Sequence, residues 1–247
     1  MRKIFGLVLA GVAGVALTVP AVAQDMTRYS TQRSSNNGNQ SEIESYQNDL
    51  KAAEARANLI ADPFALRNNW DTARRLASCA VSLNSDRAET FLQQDMPSLG
   101  APLLEMNKYL GRIRGCAPTN IRLDPAFVRG ALAEDILVDP DTAPEIPGPG
   151  DSKKLMDFIG AVAISGDRTG MFAKAQMAEE CRTAISPIGA RGVLATEAGS
   201  QAEVGALAAL DSVTTTCDQL DPEEEMPSYF RRAFLAQSLY HWTNFAD

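Results

Sequence analysis

Apolar residues recur at intervals of three and four along most of this chain, which is the spacing of one face of an α-helix. Leu103, Met106, Leu110 and Ile113 follow this spacing within residues 99–114. Stretches that alternate between apolar and polar residues, as half-buried strands do, are lacking. The pattern therefore predicts an all-α fold.

Capping residues and helix breakers divide this pattern into about five helices on each side of a proline-rich segment. In the first half, one helix follows Ser41 and ends before Pro63, and another begins at Pro125 with Asp124 as its cap. Residues 139–150 contain four prolines and two glycines, which excludes a helix and predicts a stiff, extended linker. The other predicted helices run from about residue 70 to 83 and over residues 86–94, 99–114, 151–164, 168–186, 189–197, 201–217 and 227–245.

Matching landmarks in the two halves indicate that one helical unit occurs twice. Cys79 and Cys116 are 37 positions apart, and Cys181 and Cys217 are 36 apart. A shift of 102 residues places the first cysteine of one pair on that of the other, and it also aligns Trp70 with Phe172, Leu92 with Leu194, Phe127 with Tyr229 and Arg129 with Arg231. We expect two tandem homologous repeats, residues 41–138 and 151–247, joined by the linker 139–150.

The first 23 residues have the order of a secretory signal peptide. Arg2 and Lys3 precede an apolar run of 16 residues, and a small-residue cleavage site ends at Ala23. The alternative is a membrane anchor, but the run is short against the roughly 20 residues of a spanning helix. We expect cleavage after Ala23, a polar leader over residues 24–40, no later membrane span, and a periplasmic or secreted protein.

Four cysteines in an exported chain are most simply two disulfides. Three pairings are possible, and the duplication favours Cys79 with Cys116 and Cys181 with Cys217, each bond buried within one repeat. The alternatives are buried free thiols and a zinc site, but close C-x-x-C pairs typical of zinc binding are absent. We expect no metal and no cofactor.

The charge balance argues against nucleic acid as a partner. The formal net charge is −8, and it becomes −10 when Arg2 and Lys3 leave with the signal peptide. Phosphate binding requires clustered lysine and arginine, and an excess of negative charge opposes it.

The sequence contains no recognisable catalytic motif, so we expect no catalytic residue. His241 is the single histidine, and we expect it on the surface of the last helix beside Tyr240 and Trp242. Serine hydrolase, zinc protease and nucleotide-binding signatures are absent. The acidic residues 221 and 223–225 are expected to be a solvated helix start, and Glu134 and Asp135 are expected to be exposed.

Two arginines recur at equivalent positions of the last predicted helix in each repeat. Arg129 and Arg231 either bind an anionic group or pair with carboxylates and carbonyl groups inside each repeat. The structural alternative is favoured, because a duplicated residue near a helix start is expected to serve the fold.

The last helix is the most aromatic part of the chain and carries a candidate interaction patch. Its members are Tyr229, Phe230, Phe234, Tyr240 and Trp242. They are too many for one narrow core stripe, so we expect some of them to face the other repeat or a partner such as an envelope protein.

The segments 76–81, Leu-Ala-Ser-Cys-Ala-Val, and 129–134, Arg-Gly-Ala-Leu-Ala-Glu, carry a resemblance to a known group. They resemble segments of uncharacterised secreted proteins from alphaproteobacteria, which have two duplicated helical halves, each with a cysteine pair. The second half departs from that pattern at residues 181–183 and 231–235. The resemblance implies export, duplication and cysteine pairing, and it assigns no activity.

Together these features favour a non-enzymatic binding, scaffold or accessory module of the cell envelope. The alternative is a hydrolase that acts on a cell-wall or small-molecule substrate with carboxylates gathered from distant helices. A cleft with convergent carboxylates, or His241 bonded to a serine and an acid, would favour the enzyme. The sequence leaves the ligand, the partner and the oligomeric state open.

Overall fold

The computed structural model describes residues 51, 53–93, 109, 115–116, 123–138, 143–159 and 170–245. All regular secondary structure within these ranges is helical, which confirms the predicted all-α class for them. The predicted signal peptide (residues 1–23), the leader (24–40) and nearly all of the predicted helix 99–114 lie outside the described residues.

Eight α-helices and one 3₁₀ helix are numbered here, in addition to a helical stretch over residues 53–61. They are α1 (Pro63–Leu83), α2 (Ser85–Leu92), α3 (Pro125–Val138), α4 (Ser152–Phe158), α5 (Met171–Ile185), α6 (Pro187–Leu194), α7 (Gln201–Val213), the 3₁₀ helix (Thr215–Leu220) and α8 (Ser228–Asn244).

Local capping explains where several helices begin. The Asp62 carboxylate accepts hydrogen bonds from the backbone N–H groups of Phe64 and Ala65, and Pro63 occupies the first helical position of α1. Asn84 caps α2 in the same way by accepting from the Arg87 N–H. Asn84 is the single residue between α1 and α2, and its cap marks the start of the second helix.

Several predicted helix boundaries differ from the observed ones. Helix α1 begins at Pro63 and not near residue 70, because Asp62 caps it there. Helix α6 begins at Pro187, two residues earlier than expected, because proline suits the first turn. The predicted helix 201–217 ends at Val213, and Cys217 lies on the following 3₁₀ helix instead. Three consecutive threonines, residues 214–216, follow Val213, and β-branched residues propagate an α-helix poorly.

Helices α3 and α8 cross at the centre of the molecule. At the crossing, a Cβ atom built on Gly130 would lie 2.5 Å from the Cα atom of Ala233. Helix α1 packs against α3 and helix α5 packs against α8, so the central pair is covered on both sides. One continuous hydrophobic core contains residues from both halves of the chain.

We predict that Gly130→Ala lowers the free energy of unfolding by about 2 kcal/mol. The new methyl group would overlap backbone atoms of Ala233, which cannot rotate away. Thermal or urea unfolding measures the effect.

Gly205→Ala on the exposed side of α7 is the matched control. A Cβ at Gly205 would meet no atom within 4 Å. This substitution should stabilise the protein by about 0.5–1 kcal/mol through helix propensity alone. Equal effects of the two substitutions would contradict the close helix crossing.

Both predicted disulfides are present, Cys79–Cys116 and Cys181–Cys217, with Cα–Cα distances of 5.6 and 5.8 Å. The second bond is buried as expected, because Cys181 and Cys217 are 5% and 0% exposed. The first bond is half-buried at both cysteines, contrary to the expectation that it would be fully buried. The first disulfide ties α1 to residue 116, and the second ties α5 to the 3₁₀ helix.

Candidate functional site

Arg129 does not face solvent but crosses from α3 to the end of α2. Its guanidinium donates hydrogen bonds to the carbonyl oxygens of Phe91 and Leu92, at 2.9 and 2.6 Å. Its Nε donates to the Gln237 Oε1 at 3.2 Å. These contacts satisfy backbone carbonyls at a helix C-terminus, which have no partner within the helix. Arg129 is thus engaged as a structural residue.

Arg232, not Arg231, makes the corresponding contacts in the second half. Its guanidinium donates to the carbonyl oxygens of Val193 and Leu194 at the end of α6. The sequence pairs Arg129 with Arg231, whereas Arg232 is the residue that binds carbonyl oxygens at the end of a short helix as Arg129 does.

Arg232 is also the centre of a buried ion network. Its side chain is 1% exposed and donates two hydrogen bonds to the Glu134 carboxylate, at 2.7 and 2.9 Å. A third bond of 2.9 Å reaches Glu203 on α7. The Glu203 carboxylate in turn accepts from the Gly199 N–H. This network joins helices α3, α7 and α8.

Glu134 was expected on the surface, and that expectation is wrong. The residue is 4% exposed, since α8 covers the face of α3 on which it lies. The sequence holds a signal for this placement, because Glu134 follows the apolar run Ala131-Leu132-Ala133 on a helix that is buried on nearly every side. A carboxylate in such a run requires a buried cation.

Arg231 belongs to a second network, on a different face of α8 from that of Arg232. It donates to the Glu179 carboxylate at 2.7 Å and forms a two-bond contact with Asp211 at 2.7 and 3.0 Å. Arg182 lies beside them and makes a two-bond contact with Asp221 at 2.8 and 2.6 Å. The Arg182 Nε is 3.0 Å from the Asp211 Oδ1, an ion-pair distance without hydrogen-bond alignment.

Burial and charge act in opposite directions within this second network. Burial raises the pKa of Glu179 above its ordinary value, although Arg231 and Arg182 oppose the shift. Burial also acts to raise the pKa of Asp211, but hydrogen bonding and the charges of Arg231 and Arg182 outweigh it and lower that pKa. Asp211 therefore remains ionised and holds the two arginines together.

The candidate aromatic patch lies mostly in the core and not on the surface. Phe230, Phe234, Tyr240 and Trp242 are each at most 2% exposed, and Tyr229 is half-buried against the core. Phe230 packs against Phe127 with ring centroids 4.4 Å apart. The aromatic side chains at the start of α8 thus pack between the two halves of the chain. Contact with the other half was one of the two outcomes expected for these residues, and contact with a partner was the other.

Trp242 lies in a smaller apolar cluster near the linker. Its ring contacts Phe158 edge-on at 4.9 Å and stacks with Phe245 at 6.4 Å. The Lys154 ammonium lies 5.1 Å from the centre of the indole. The indole N–H donates to the carbonyl oxygen of Gly148 at 3.3 Å.

The acidic residues before α8 are placed much as the sequence suggests. Residues 223–225 are exposed, and Asp221 is the one that binds an arginine, Arg182. Within the described part of the chain, no group of three or more histidine, cysteine, aspartate or glutamate residues is arranged to hold a metal ion.

His241 is half-buried on α8, and its Nε2 atom is turned away from solvent. Its ring meets Tyr240 edge-on, with centroids 5.6 Å apart, and its Nε2 has no hydrogen-bond partner. No serine or carboxylate among the described residues is hydrogen-bonded to it. Burial, reinforced by the charge of Arg129, lowers the pKa of His241 to about 4. It is therefore neutral near pH 7.

We predict that this histidine makes the protein less stable in mild acid. The unfolded chain binds a proton at His241 below a pKa of about 6.5, whereas the folded chain does so only near 4. The stability that this group contributes is present above pH 6.5, and about 3 kcal/mol of it is lost as the pH falls to 4.

Urea unfolding of wild type and His241→Gln at pH 7 and pH 4.5 checks this prediction. Carboxylates titrate in both proteins and lower the stability of both. The informative quantity is therefore the difference between wild type and variant in the free energy of unfolding that each loses from pH 7 to pH 4.5. The variant should lose less stability than the wild type. Equal losses would contradict a depressed pKa at His241.

No protein-family model, curated protein or solved structure matches this chain. The resemblance to secreted alphaproteobacterial proteins therefore stays a prediction. Among the described helices, none combines the length and the apolar character needed to cross a membrane.

Proposed function

We propose that this chain is an exported, two-repeat helical protein that acts as a non-enzymatic binding, scaffold or accessory module of the cell envelope. In this proposal a signal peptide of 23 residues is removed, and repeats 41–138 and 151–247 are joined by the linker 139–150. The observation that carries it is how the charged side chains are used. Arg129, Arg232, Glu134 and Glu179 are buried and bonded to one another or to nearby polar groups.

Reciprocal contacts across the α3–α8 crossing support the duplication. Arg129 on α3 bonds to Gln237 on α8, and Arg232 on α8 bonds to Glu134 on α3. A shift of 103 residues converts one pair into the other, and it also places Gly130 on Ala233, the two residues in contact at the crossing. Two related units packed about an approximate two-fold axis would produce this arrangement.

Aromatic packing repeats in the same way. Trp70 meets Phe127 edge-on at 5.6 Å, and Phe172 meets Phe230 edge-on at 5.1 Å. The same shifts, 102 for the first partner and 103 for the second, relate the two pairs. Helix α2 and helix α6 also correspond over their whole length, Ser85–Leu92 and Pro187–Leu194.

The duplication makes a direct prediction for Gln237→Glu. If the two arginine sites are equivalent, Arg129 should accept a carboxylate at position 237 as Arg232 accepts Glu134. The substitution should change the free energy of unfolding by less than about 1 kcal/mol although it buries a charge. In an Arg129→Met background it should cost about 3 kcal/mol or more, because the carboxylate would be unpaired.

Chemical denaturation of the four proteins of this double-mutant cycle gives the coupling energy between positions 129 and 237. A large loss of stability from Gln237→Glu alone would argue against equivalent sites.

Export is supported by the two disulfides, since such bonds persist in oxidising compartments. Expression of the full chain in a Gram-negative host, followed by fractionation and mass measurement, tests it. The periplasmic protein should begin at Gln24. A protein that keeps residues 1–23 would contradict removal of a signal peptide.

The binding role is tested by capture of crosslinked partners from an envelope extract with the mature, oxidised protein. The reduced protein, which lacks both disulfides, is the matched control. We expect an envelope protein that is captured only by the oxidised form and that binds again as a purified component. Turnover of cell-wall fragments or small esters by the purified protein, without such a partner, would instead favour the hydrolase.

A further inference from the structure

A proline-rich segment of the chain lies against Trp242 in the way a bound peptide would. Residues 143–150, here called the strap, have the sequence Ala-Pro-Glu-Ile-Pro-Gly-Pro-Gly and contain no helix, strand or turn. Pro144 and Pro147 are spaced as P-x-x-P, the spacing of peptides that domains recognise in the polyproline II conformation. The strap therefore has the composition and the proline spacing of a proline-rich ligand, on a backbone without regular secondary structure.

Two hydrogen bonds join the strap to the rest of the described chain. The Trp242 indole N–H donates to the Gly148 carbonyl oxygen at 3.3 Å, and the Gly150 N–H donates to the Ala184 carbonyl oxygen at 3.2 Å. Gly150 is also in close contact with the indole, since a Cβ atom built there would lie 2.6 Å from the Trp242 Cη2 atom. An indole donor facing a backbone carbonyl, with a small residue beside the ring, suits an extended peptide that has no internal hydrogen bonds.

Beneath the strap is an apolar surface, the Trp242 platform, defined by Phe158, Trp242 and Phe245. Phe158 and Trp242 are 0% exposed, and their cluster is separate from the main core. The strap itself is only half-buried, and Glu145, Gly148 and Pro149 are exposed. The strap contacts the platform through Gly148 and Gly150, whereas its Ile146 packs against the main core.

The strap is suited to local opening. It buries no side chain completely, and its described hydrogen bonds number two. Segments with few buried contacts open at a lower free-energy cost than the core does. Opening would expose the platform while the disulfides and the α3–α8 crossing stay intact, because none of these involves residues 143–150.

We propose that the Trp242 platform is a binding site for extended proline-rich peptides, and that the strap occupies it in cis. The inference rests on the proposed function, because it supplies the partner class for a binding module. A peptide in trans would replace the strap on the indole N–H and against the ring face. Release of the strap then controls access to the site.

Competition from the strap sets the expected affinities. A segment tethered beside its own site acts at an effective concentration of roughly millimolar. A free peptide must exceed that concentration, so the wild-type protein should bind it weakly. Removal of the cis competitor should strengthen binding by about tenfold or more.

Fluorescence anisotropy with a labelled peptide of the sequence of residues 143–150 tests the proposal. It is titrated with the mature, oxidised wild-type protein and with a variant in which residues 143–150 are replaced by eight glycine and serine residues. We expect the variant to bind at least about tenfold more tightly. A peptide with all three prolines replaced by alanine is the matched ligand control, and it should bind several-fold more weakly.

Gly150→Ala is a milder variant, and it should also bind the peptide more tightly than the wild-type protein does. The added methyl group overlaps the indole and should displace the end of the strap while the rest of the chain is unchanged. Adding Trp242→Phe to the glycine and serine variant keeps a ring but removes the N–H, and it should weaken peptide binding severalfold. Circular dichroism and intact disulfides establish that each variant is folded.

The wild-type protein gives a measurement that does not depend on any variant. The chain has two tryptophans, so its NMR spectrum has two indole N–H resonances. Millimolar peptide should shift the Trp242 resonance and leave that of the core residue Trp70 in place. No shift at tens of millimolar peptide, or equal binding of the alanine peptide, would overturn the proposal. That result would leave the binding-module function standing, because partner capture tests it separately.

Discussion

Replacing Arg232 by methionine should lower the free energy of unfolding by about 3–5 kcal/mol. The substitution keeps an apolar chain of similar length but leaves the carboxylates of Glu134 and Glu203 buried without their cation. Three backbone carbonyls at the end of α6 and just beyond it also lose a donor. Arg74, half-exposed at 3.8 Å from Glu134, compensates only in part.

Arg191→Met is the matched control, since Arg191 is exposed on the neighbouring helix α6. It should change stability by less than about 0.5 kcal/mol. Changing Glu134 and Glu203 to glutamine in the Arg232→Met protein should restore about 2 kcal/mol, because the unpaired charges are then gone. Urea denaturation at pH 7 measures all three proteins. A small effect of Arg232→Met, or no recovery in the triple variant, would contradict the described network.

Replacing Cys181 and Cys217 together by alanine should lower the free energy of unfolding by about 3–4 kcal/mol. The bond closes a loop with a sequence separation of 36 residues, and its loss increases the conformational entropy of the unfolded chain. Both cysteines lie in buried positions, so the substitution also loses packed atoms.

Calorimetry of this double variant should show one unfolding transition at a lower temperature. The two halves share a continuous core through α3 and α8. The loss of stability should therefore lower the unfolding temperature of both halves together. This differs from the outcome for two independent repeats, in which the second half alone would melt early. The same substitution at Cys79 and Cys116 is the control for loop length, since its separation is 37 residues. Two separate transitions would show that the halves unfold independently.

Local chemistry made much of the helix pattern predictable. The restricted backbone of proline predicts a helix start at Asp124-Pro125 and a break in the helices at the proline-rich linker. Helix α3 does begin at Pro125. The short helix predicted over residues 86–94 is observed as Ser85–Leu92. The end of α7 was missed because the helical spacing of apolar residues continues to Cys217, whereas the backbone changes to a 3₁₀ helix after Thr214.

The roles of the charged residues were less accessible from the sequence. Arg231 and Arg232 are adjacent, and a shift of 102 residues matches Arg129 with the first of them. Only the contacts with the end of α6 distinguish the two, since adjacent residues on a helix point about 100° apart. The sequence predicts an exposed Glu134 because its arginine partner, Arg232, is distant in the chain.

The sequence by itself determined the helical class, the spacing of the cysteines that form disulfides, and the position of the proline-rich segment. These depend on periodicity, on capping and on the restricted backbone of proline, all of which act over a few residues. The tertiary structure alone decided which arginine supports α6, that Glu134 is buried, and that the linker contacts Trp242. Those outcomes depend on how α3 and α8 cross, because burial and ion pairing are set by residues about 100 positions apart in the chain.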